Sequence, residues 1–365
     1  MLYSARLSPL DFGNMESKGR MARIGVMGCG VVADYGHLPA IVGTPGLELA
    51  AVFDPVAASA EKAARRFGTV AYTDQNAFLD SGLDAVVIAS PVPFHRENVF
   101  AAAERGLHIL CEKPLGMDDE EVQAMIDFCA TKKVGFATGF VYRYSPVSQK
   151  IREWVRDGSI GEVRALRLSY VWELHGRYDQ GPDGKWRENP RWRGRMLEGG
   201  PMVDCGVHSI DLARWWLGKD VVRSHGVGAW VADGYEAPDH MWLHLDHQGG
   251  AHTAVEMSFS YGFTAKDPAP LFTYDIIGTG GTIRYDRNGW VFERRNGEGT
   301  LIAPGSSEKD FPAMHAAFAQ ALLTGDWSRM PSGEDGLEAT RLAREATEAV
   351  IAMRLVEPKA VASRK

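Results

Sequence analysis

From Arg23 onward the chain alternates between two hydrophobic rhythms. Short apolar runs, "IGVM" (24–27), "LELAAVF" (47–53), "AVVIAS" (85–90), "HILC" (108–111) and "VGFATGF" (134–140), are separated by stretches of helical spacing. Those stretches are "AASAEKAARRFG" (57–68), "PFHRENVFAAAERG" (93–106) and "DDEEVQAMIDFCATKK" (118–133). Strand alternating with helix predicts an α/β domain with a parallel, doubly wound sheet over 21–140. After Phe140 the pattern changes. "EVRALRLSYVWEL" (162–174), "HMWLHLDH" (240–247), "AHTAVEMSFS" (251–260), "LFTYDIIG" (271–278) and "GTIRYD" (281–286) are longer, aromatic and β-branched. They predict a strand-rich α+β domain over 141–365, with "HQGG" (247–250) as a hairpin turn.

Composition agrees with two domains, because 365 residues exceed one ordinary core. The chain is 45% hydrophobic and 24% charged, as globular proteins are. A net charge of −7 gives no electrostatic reason to expect nucleic-acid binding. No apolar run reaches bilayer length, so no membrane partner is expected. Cys29, Cys111, Cys129 and Cys205 form no C-x-x-C pair, which suits a reducing compartment and a cytoplasmic location. Residues 1–20 lack the apolar core of a signal peptide and are expected to form a flexible extension, with Met21 as an alternative start.

The first apolar run leads directly into "GCGVVA" and then into a helical stretch. This is G-x-G-x-x-A, with Gly28 for a tight turn, Gly30 for close approach of a pyrophosphate, and Ala33 for helix–strand packing. Val31 and Val32 open the helix whose N-terminus would face the phosphates. Asp54 ends the next strand about two dozen residues on, where a carboxylate binds ribose hydroxyls; it is equally a residue type that caps helices. A carboxylate there would repel a 2′-phosphate, which favours NAD over NADP. Ligands of such sheets bind at the carboxyl ends of the strands. Ser90 and Pro91, followed by His95, and then Glu112, Lys113 and Pro114, fall at that edge. Lys113 reads as a ligand-facing lysine or as an ordinary exposed strand-end one.

"GGPMVDCGVHSIDLARWWLG" (199–218) is an apolar helix carrying three ionisable residues, Asp204, His208 and Asp211, at i, i+4 and i+7. At roughly 100° per residue they lie within about 60° of arc, a stripe narrower than a solvated face. Before it runs a long loop (175–200) with interleaved arginines and aromatics, among them Trp192 and Arg193. Such loops are binding loops or solvated ones; leading straight into the 199–218 helix, it is read as a substrate contact. Tyr142 and Arg143, just past the last parallel strand, are further candidates. His240, His244, His247 and His252 are read as sheet surface or subunit interface, with His247 in a turn, and no metal is expected.

"GCGVVA", "ASPVPFHRENVFAAAERGLHILCEKPLGMD" and "GGPMVDCGVHSIDLARWWLG", in that order, resemble the glucose–fructose oxidoreductase, inositol dehydrogenase and MocA family. The likeness continues through "YDIIGTGGTIRYD" and "MPSGEDGLEATRLAREA". The resemblance implies a Rossmann domain followed by an open, mostly antiparallel sheet that pairs subunits into a homodimer or homotetramer. It implies a catalytic lysine in E-K-P, here Lys113, and an aspartate and histidine in D-x-x-x-H, here Asp204 and His208. Pro201 and Val92 depart from the family pattern. The implied activity is NAD-dependent oxidation of a secondary alcohol on a carbohydrate-like small molecule: a sugar, sugar acid or cyclitol. Two alternatives share the fold: a glycosidase that uses NAD transiently, and a non-catalytic dinucleotide-binding regulator.

Overall fold

The computed structural model describes residues 21–172, 178–231, 234–260 and 269–356. The expected N-terminal extension and the start of the 175–200 loop lie outside the described residues. Among the described residues the strands form a six-stranded sheet, an eight-stranded sheet and a two-stranded ribbon. The chain divides into two compact units.

One unit runs up to Ser145 and includes Glu308–Thr340. Its strands are β1 (Ala22–Met27), β2 (Leu47–Phe53), β3 (Val70–Tyr72), β4 (Ala85–Ile88), β5 (His108–Cys111) and β6 (Phe136–Thr138). All pairs are parallel, in the order β3-β2-β1-β4-β5-β6. The order reverses between β1 and β4, the switch point of a doubly wound sheet. Every residue of β4 is buried because helices cover both faces. Ile24, Val26 and Val87 pack on one side with Leu38, Ile41, Phe311 and Phe318. Met27, Val86 and Ile88 pack on the other with Phe78, Val99 and Met125. The helix Phe311–Thr324 on the first side is capped by Asp310, whose carboxylate accepts from Ala313 N at 2.9 Å.

The other unit comprises Pro146–Ser307 and the chain from Arg341. Its large sheet has the order β10-β11-β12-β7-β13-β14-β15-β16. The strands are β7 (Val163–Val171), β10 (Val221–Ala229), β11 (His240–His247), β12 (His252–Ser258), β13 (Leu271–Gly278), β14 (Gly281–Asp286), β15 (Val291–Asn296) and β16 (Gly299–Ile302). All neighbours are antiparallel except β12 and β7. Burial alternates along β11, as one covered face requires. Trp216 packs edge-on against Tyr274 and donates its indole N–H to Ser148 O at 3.0 Å.

Several expectations need correction. The 175–200 segment is not one loop: it contains a ribbon of β8 (Tyr178–Gln180) and β9 (Trp186–Glu188), then the helix Pro190–Leu197. Asn189 starts that helix by accepting from Arg191 N at 2.9 Å, with Pro190 at its first position. His247 is not in a turn. It ends β11, is buried, and shares a 2.8 Å hydrogen bond with Thr253 Oγ1, because the hairpin closes one residue later than the sequence suggests. β10, β15 and β16 carry too many glycine and charged positions to be read as strands locally; their pairing makes them so.

Candidate active site

In the parallel-sheet unit the sequence-predicted residues gather at the carboxyl ends of β1, β2, β4, β5 and β6. Gly28 follows β1 with φ of 94° and donates to Phe53 O at 2.8 Å. A Cβ there would stand 2.7 Å from Ser90 N, so no other residue fits this turn between β1 and β4. Gly30 is the opposite case: a Cβ would meet nothing within 4 Å. The space above Gly30 is therefore open, as the approach of a pyrophosphate requires, and Val31 beside it is 55% exposed at the helix start. Val32 is half-buried, and Ala33 is buried against the sheet.

Asp54 holds this turn. One carboxylate oxygen accepts from Cys29 N and the other from Val56 N, both at 2.9 Å. It is not the N-cap of the following helix, whose cap is Val56. A carboxylate at the end of the second strand of such a sheet suits the unphosphorylated ribose of NAD and disfavours a 2′-phosphate. Burial, reinforced by Asp54 and Asp34, pushes the Cys29 thiol up to about 12.

At β4 the chain turns through Ser90, whose hydroxyl accepts from Asn98 Nδ2 at 3.0 Å, and exposed Pro91. His95 is buried, 2.8 Å from Ser90 O by Nε2 and 3.1 Å from Pro114 O by Nδ1. It ties the end of β4 to the turn after β5, and burial lowers its pKa against the pull of those carbonyls. Glu112 N donates to Ile88 O at 2.9 Å, continuing the β4–β5 ladder to the sheet edge. Lys113 follows, half-buried, with a cis bond to Pro114.

The Glu112 side chain does not face solvent. It is buried beside Gly139, with Oε1 2.9 Å from His37 Nε2 and Oε2 accepting from Lys113 N at 3.2 Å. Burial pushes this carboxyl up. The His37 hydrogen bond, and the charges of His37, Lys113 and Lys309, outweigh it and hold it below the usual carboxylate range. His37 and Lys309 are the residues that sequence reasoning missed. A histidine four residues past the glycine motif was the available signal, and nothing local marked it as a partner of Glu112. Tyr142 is buried beneath the Lys309 ammonium, 5.9 Å from its ring centre. Arg143 is buried and paired with Asp335 at 3.0 Å.

In the other unit the chain reverses through Gly199 and Gly200, and Pro201 leads into a π-helical turn, Met202–Gly206, continued by the helix Val207–Leu217. The expected uniform α-helical stripe is thus altered: the wider turn re-aims Asp204 relative to His208. Gly206 permits it, since a Cβ would come within 2.3 Å of Met202 Sδ. Asp204, His208 and Asp211 are all at least nine-tenths buried. Asp204 faces Arg195 at 3.5 Å, and its charge is the main reason the Arg195 pKa is raised. The Cys205 thiol donates to its other oxygen at 3.6 Å. Trp192 is 1% exposed, packed with Met196, Ala237 and Phe259, so it presents no open ring face to a substrate. Arg193 is exposed and lies 3.7 Å from Glu188.

His240 lies 3.3 Å from Glu256, and His244, His252 and Asp246 form a hydrogen-bonded row on the sheet. Among the described residues no group of three or more His, Cys, Asp or Glu is placed to hold a metal ion. No helix among them is long and apolar enough to cross a membrane.

Residues 22–140 match the family described as "Oxidoreductase family, NAD-binding Rossmann fold", and 148–284 match the GFO/IDH/MocA C-terminal domain. The chain is 30% identical to D-glucoside 3-dehydrogenase of Escherichia coli K12, over 65% of this chain and 70% of that one. It is 27% identical to the NAD(+)-dependent scyllo-inositol 2-dehydrogenase of Bacillus subtilis, over 82% of each. The fold is shared with a crystal structure of an Agrobacterium radiobacter oxidoreductase in complex with NAD+, L-tartaric acid and magnesium. That match has a TM-score of 0.76 at 24% identity and covers 91% of this chain and 96% of that one. With the glycine turn, Asp54 and the E-K-P edge in place, the chain belongs to the glucose–fructose oxidoreductase, inositol dehydrogenase and MocA family and is an NAD-binding dehydrogenase of that family.

Proposed function

We propose that this dehydrogenase oxidises a secondary alcohol of a sugar, sugar acid or cyclitol, with Lys113, Asp204 and His208 as its catalytic residues. The observation that carries the reading is the placement of Lys113. It stands at the carboxyl end of β5, its main chain fixed by Glu112, one strand from the switch point that bears the glycine turn. NAD, when bound, supplies the redox chemistry. Gly28, Gly30, Val31, Val32 and Ala33 bind it at the helix start, Asp54 at the ribose, and Ser90, Pro91, His95 and Glu112 shape the adjoining rim. The Lys113 ammonium donates to the reacting oxygen and favours its developing negative charge. His208 takes the alcohol proton, for which an imidazole is suited. Asp204, buried against Arg195, orients a neighbouring hydroxyl or His208 itself. Arg193, exposed on the helix before the π-helical turn beside Glu188, serves as a substrate contact; Tyr142 and Arg143, just past β6, support the rim.

The test is a panel of sugars, sugar acids and cyclitols with NAD and NADP, read by absorbance of the reduced cofactor. His208→Ala and Lys113→Ala should each lower kcat by roughly 10²–10⁴-fold. Near-normal turnover in both overturns the assignment. Accumulation of free reduced cofactor separates a dehydrogenase from a glycosidase of the same fold, and any turnover excludes a purely regulatory binder.

The same reading takes the protein to be a cytoplasmic homodimer or homotetramer. All four cysteines are free, as a reducing compartment allows. On one face of the eight-stranded sheet Val227 stands opposite Trp242, and Ile277, half-exposed, lies on the same face. Apolar side chains there favour pairing of two such faces. Light scattering should give a multiple of the chain mass, and Trp242→Glu should reduce it; a monomer at micromolar concentration overturns this part.

A further inference from the structure

Behind Glu112 lies a chain of buried polar groups that the proposed chemistry does not use. His37 sits at the end of a π-helical turn, Ala33–His37, four residues beyond the helix start at the glycine motif. Its ring is fully buried, edge-on to Phe311 at 5.0 Å between centres. Nε2 is 2.9 Å from Glu112 Oε1, and Nδ1 is 3.0 Å from His315 Nε2. His315 is fully buried as well, on the helix Phe311–Thr324, and its Nδ1 has no hydrogen-bond partner among the described residues.

The hydrogen bookkeeping follows from these distances. A carboxylate only accepts, so His37 Nε2 must carry the proton it shares with Glu112. Nδ1 of His37 then either accepts from His315 Nε2–H or, in the doubly protonated ring, donates to it. In both cases His315 is neutral, as burial first and the neighbouring His37 second require, since both lower its pKa. The chain ends at His315 Nδ1 in an apolar core, with Phe318 nearby. Among the described residues no hydrogen-bond partner continues it past His315 Nδ1. It is a strut, not a relay.

We propose that His37 is a positioning residue for Lys113, acting through Glu112: its Nε2–H holds the carboxylate in one orientation as an anion. That carboxylate fixes the Lys113 main chain through Oε2 and keeps a constant negative charge beside the Lys113 ammonium. The inference rests on the catalytic reading of Lys113. The charged and titratable groups around Glu112 are His37 from the first helix, Lys113 from its own strand end, Cys111 before it on β5, His95 from the helix after β4 and Lys309 from the segment before the helix Phe311–Thr324, with His315 behind His37. Gly139 from the end of β6 closes the remaining side without a side chain. Loss of the His37 donor leaves a buried carboxylate that neutralises, and the ammonium then loses its fixed counter-charge.

The experiment is the pH profile of kcat/KM for His37→Leu, Glu112→Gln, the double variant and His37→Gln. Expected for His37→Leu and Glu112→Gln is a basic limb moved to lower pH by about one unit or more, with the acidic limb unmoved. The double variant should shift no further than the larger single one. His37→Gln, which keeps an N–H donor, should lie near the parent enzyme. A uniform loss of rate with both limbs unmoved overturns the proposal. If His37→Leu fails to fold, nitrogen-15 NMR of histidine-labelled parent enzyme decides: His37 Nε2 should stay protonated from about pH 6 to about pH 9, and a bare Nε2 overturns the proposal. Lys113→Ala separates the two levels. Parental turnover and profile in that variant sink the catalytic reading itself, whereas an inactive Lys113→Ala beside an unmoved His37→Leu profile sinks this inference alone.

Discussion

The two sheets bury their strands differently, and their chemistry lies in different places as a result. In the parallel sheet β4 is buried at every position and β5 at three of four. Helices on both faces leave no room for polar side chains along the strands. At the carboxyl ends of the strands the polar groups Asp54, Ser90, Glu112 and Lys113 gather beside the turn at Gly28. In the eight-stranded sheet burial alternates along β11 and β12, so one face is free to be polar over its whole length. There the ionisable groups form a spread row, from Arg223 and Asp246 through His252 to His244. A doubly covered sheet thus concentrates function at an edge, while a singly covered sheet offers a surface.

The largest break in that comparison should come from the edge. Gly28→Ala places a Cβ 2.7 Å from Ser90 N on a backbone with φ of 94°. The left-handed backbone alone costs about 1–2 kcal/mol, so with the clash NAD affinity should fall by more than about tenfold. Fluorescence titration with NAD measures it, and unchanged affinity contradicts the geometry. Next come paired truncations within the strands. Ile109→Ala and Leu110→Ala, adjacent on β5 and both buried, should each lose about 2–5 kcal/mol in urea unfolding. On β11 the neighbours should split: Leu243→Ala costs a similar amount, and His244→Ala stays within about 0.5 kcal/mol. Equal costs at 243 and 244 in the dissociated chain would mean that both faces of β11 are covered within one subunit.

Smaller effects concern titration. His95 and His315 are held below their ordinary range, chiefly by burial. Below about pH 6.5 the unfolded chain takes up protons that the folded rings refuse. Stability is therefore full above that pH and declines as pH falls through the window beneath it. Thermal melts should drop between neutral pH and mildly acidic pH, and His315→Phe should show a shallower drop; a steeper one contradicts the assigned direction. The smallest effect is at Cys29, whose thiol is pushed up to about 12. Its alkylation at mildly alkaline pH should be at least about tenfold slower than that of a free thiol, read by mass spectrometry.

Local pattern was enough for the elements that local pattern makes. The runs at 85–88 and 108–111 are apolar throughout, and the helix Asp119–Lys132 carries its own cap, Asp118, which accepts from Glu121 N at 2.7 Å. The glycine turn, Asp54 and the E-K-P edge were legible because each is a short motif with a single geometric purpose. β10, β15 and β16 were not, since their strand character comes from partners rather than from their own residues. Trp192 reads as a ring for stacking in one dimension and is packed against Ala237 and Phe259 in three.

The amino-acid sequence by itself therefore determined the parallel sheet, the dinucleotide-binding turn, the family and the identity of Lys113, Asp204 and His208 as candidates. The sheet and the turn follow from periodicity, spacing and backbone restrictions, whereas the family and the candidacy of Lys113, Asp204 and His208 rest on the resemblance of short motifs to that family. Only the tertiary structure decided that Glu112 is buried, that His37 lies 75 residues before it in the chain and His315 lies 278 residues beyond His37, and that the three form one line. It also decided that Asp204 faces Arg195 across a π-helical turn. Contacts of that kind depend on which side chains packing brings together in a low-dielectric interior, where an unpaired charge is costly and a partner must be found whatever its distance along the chain.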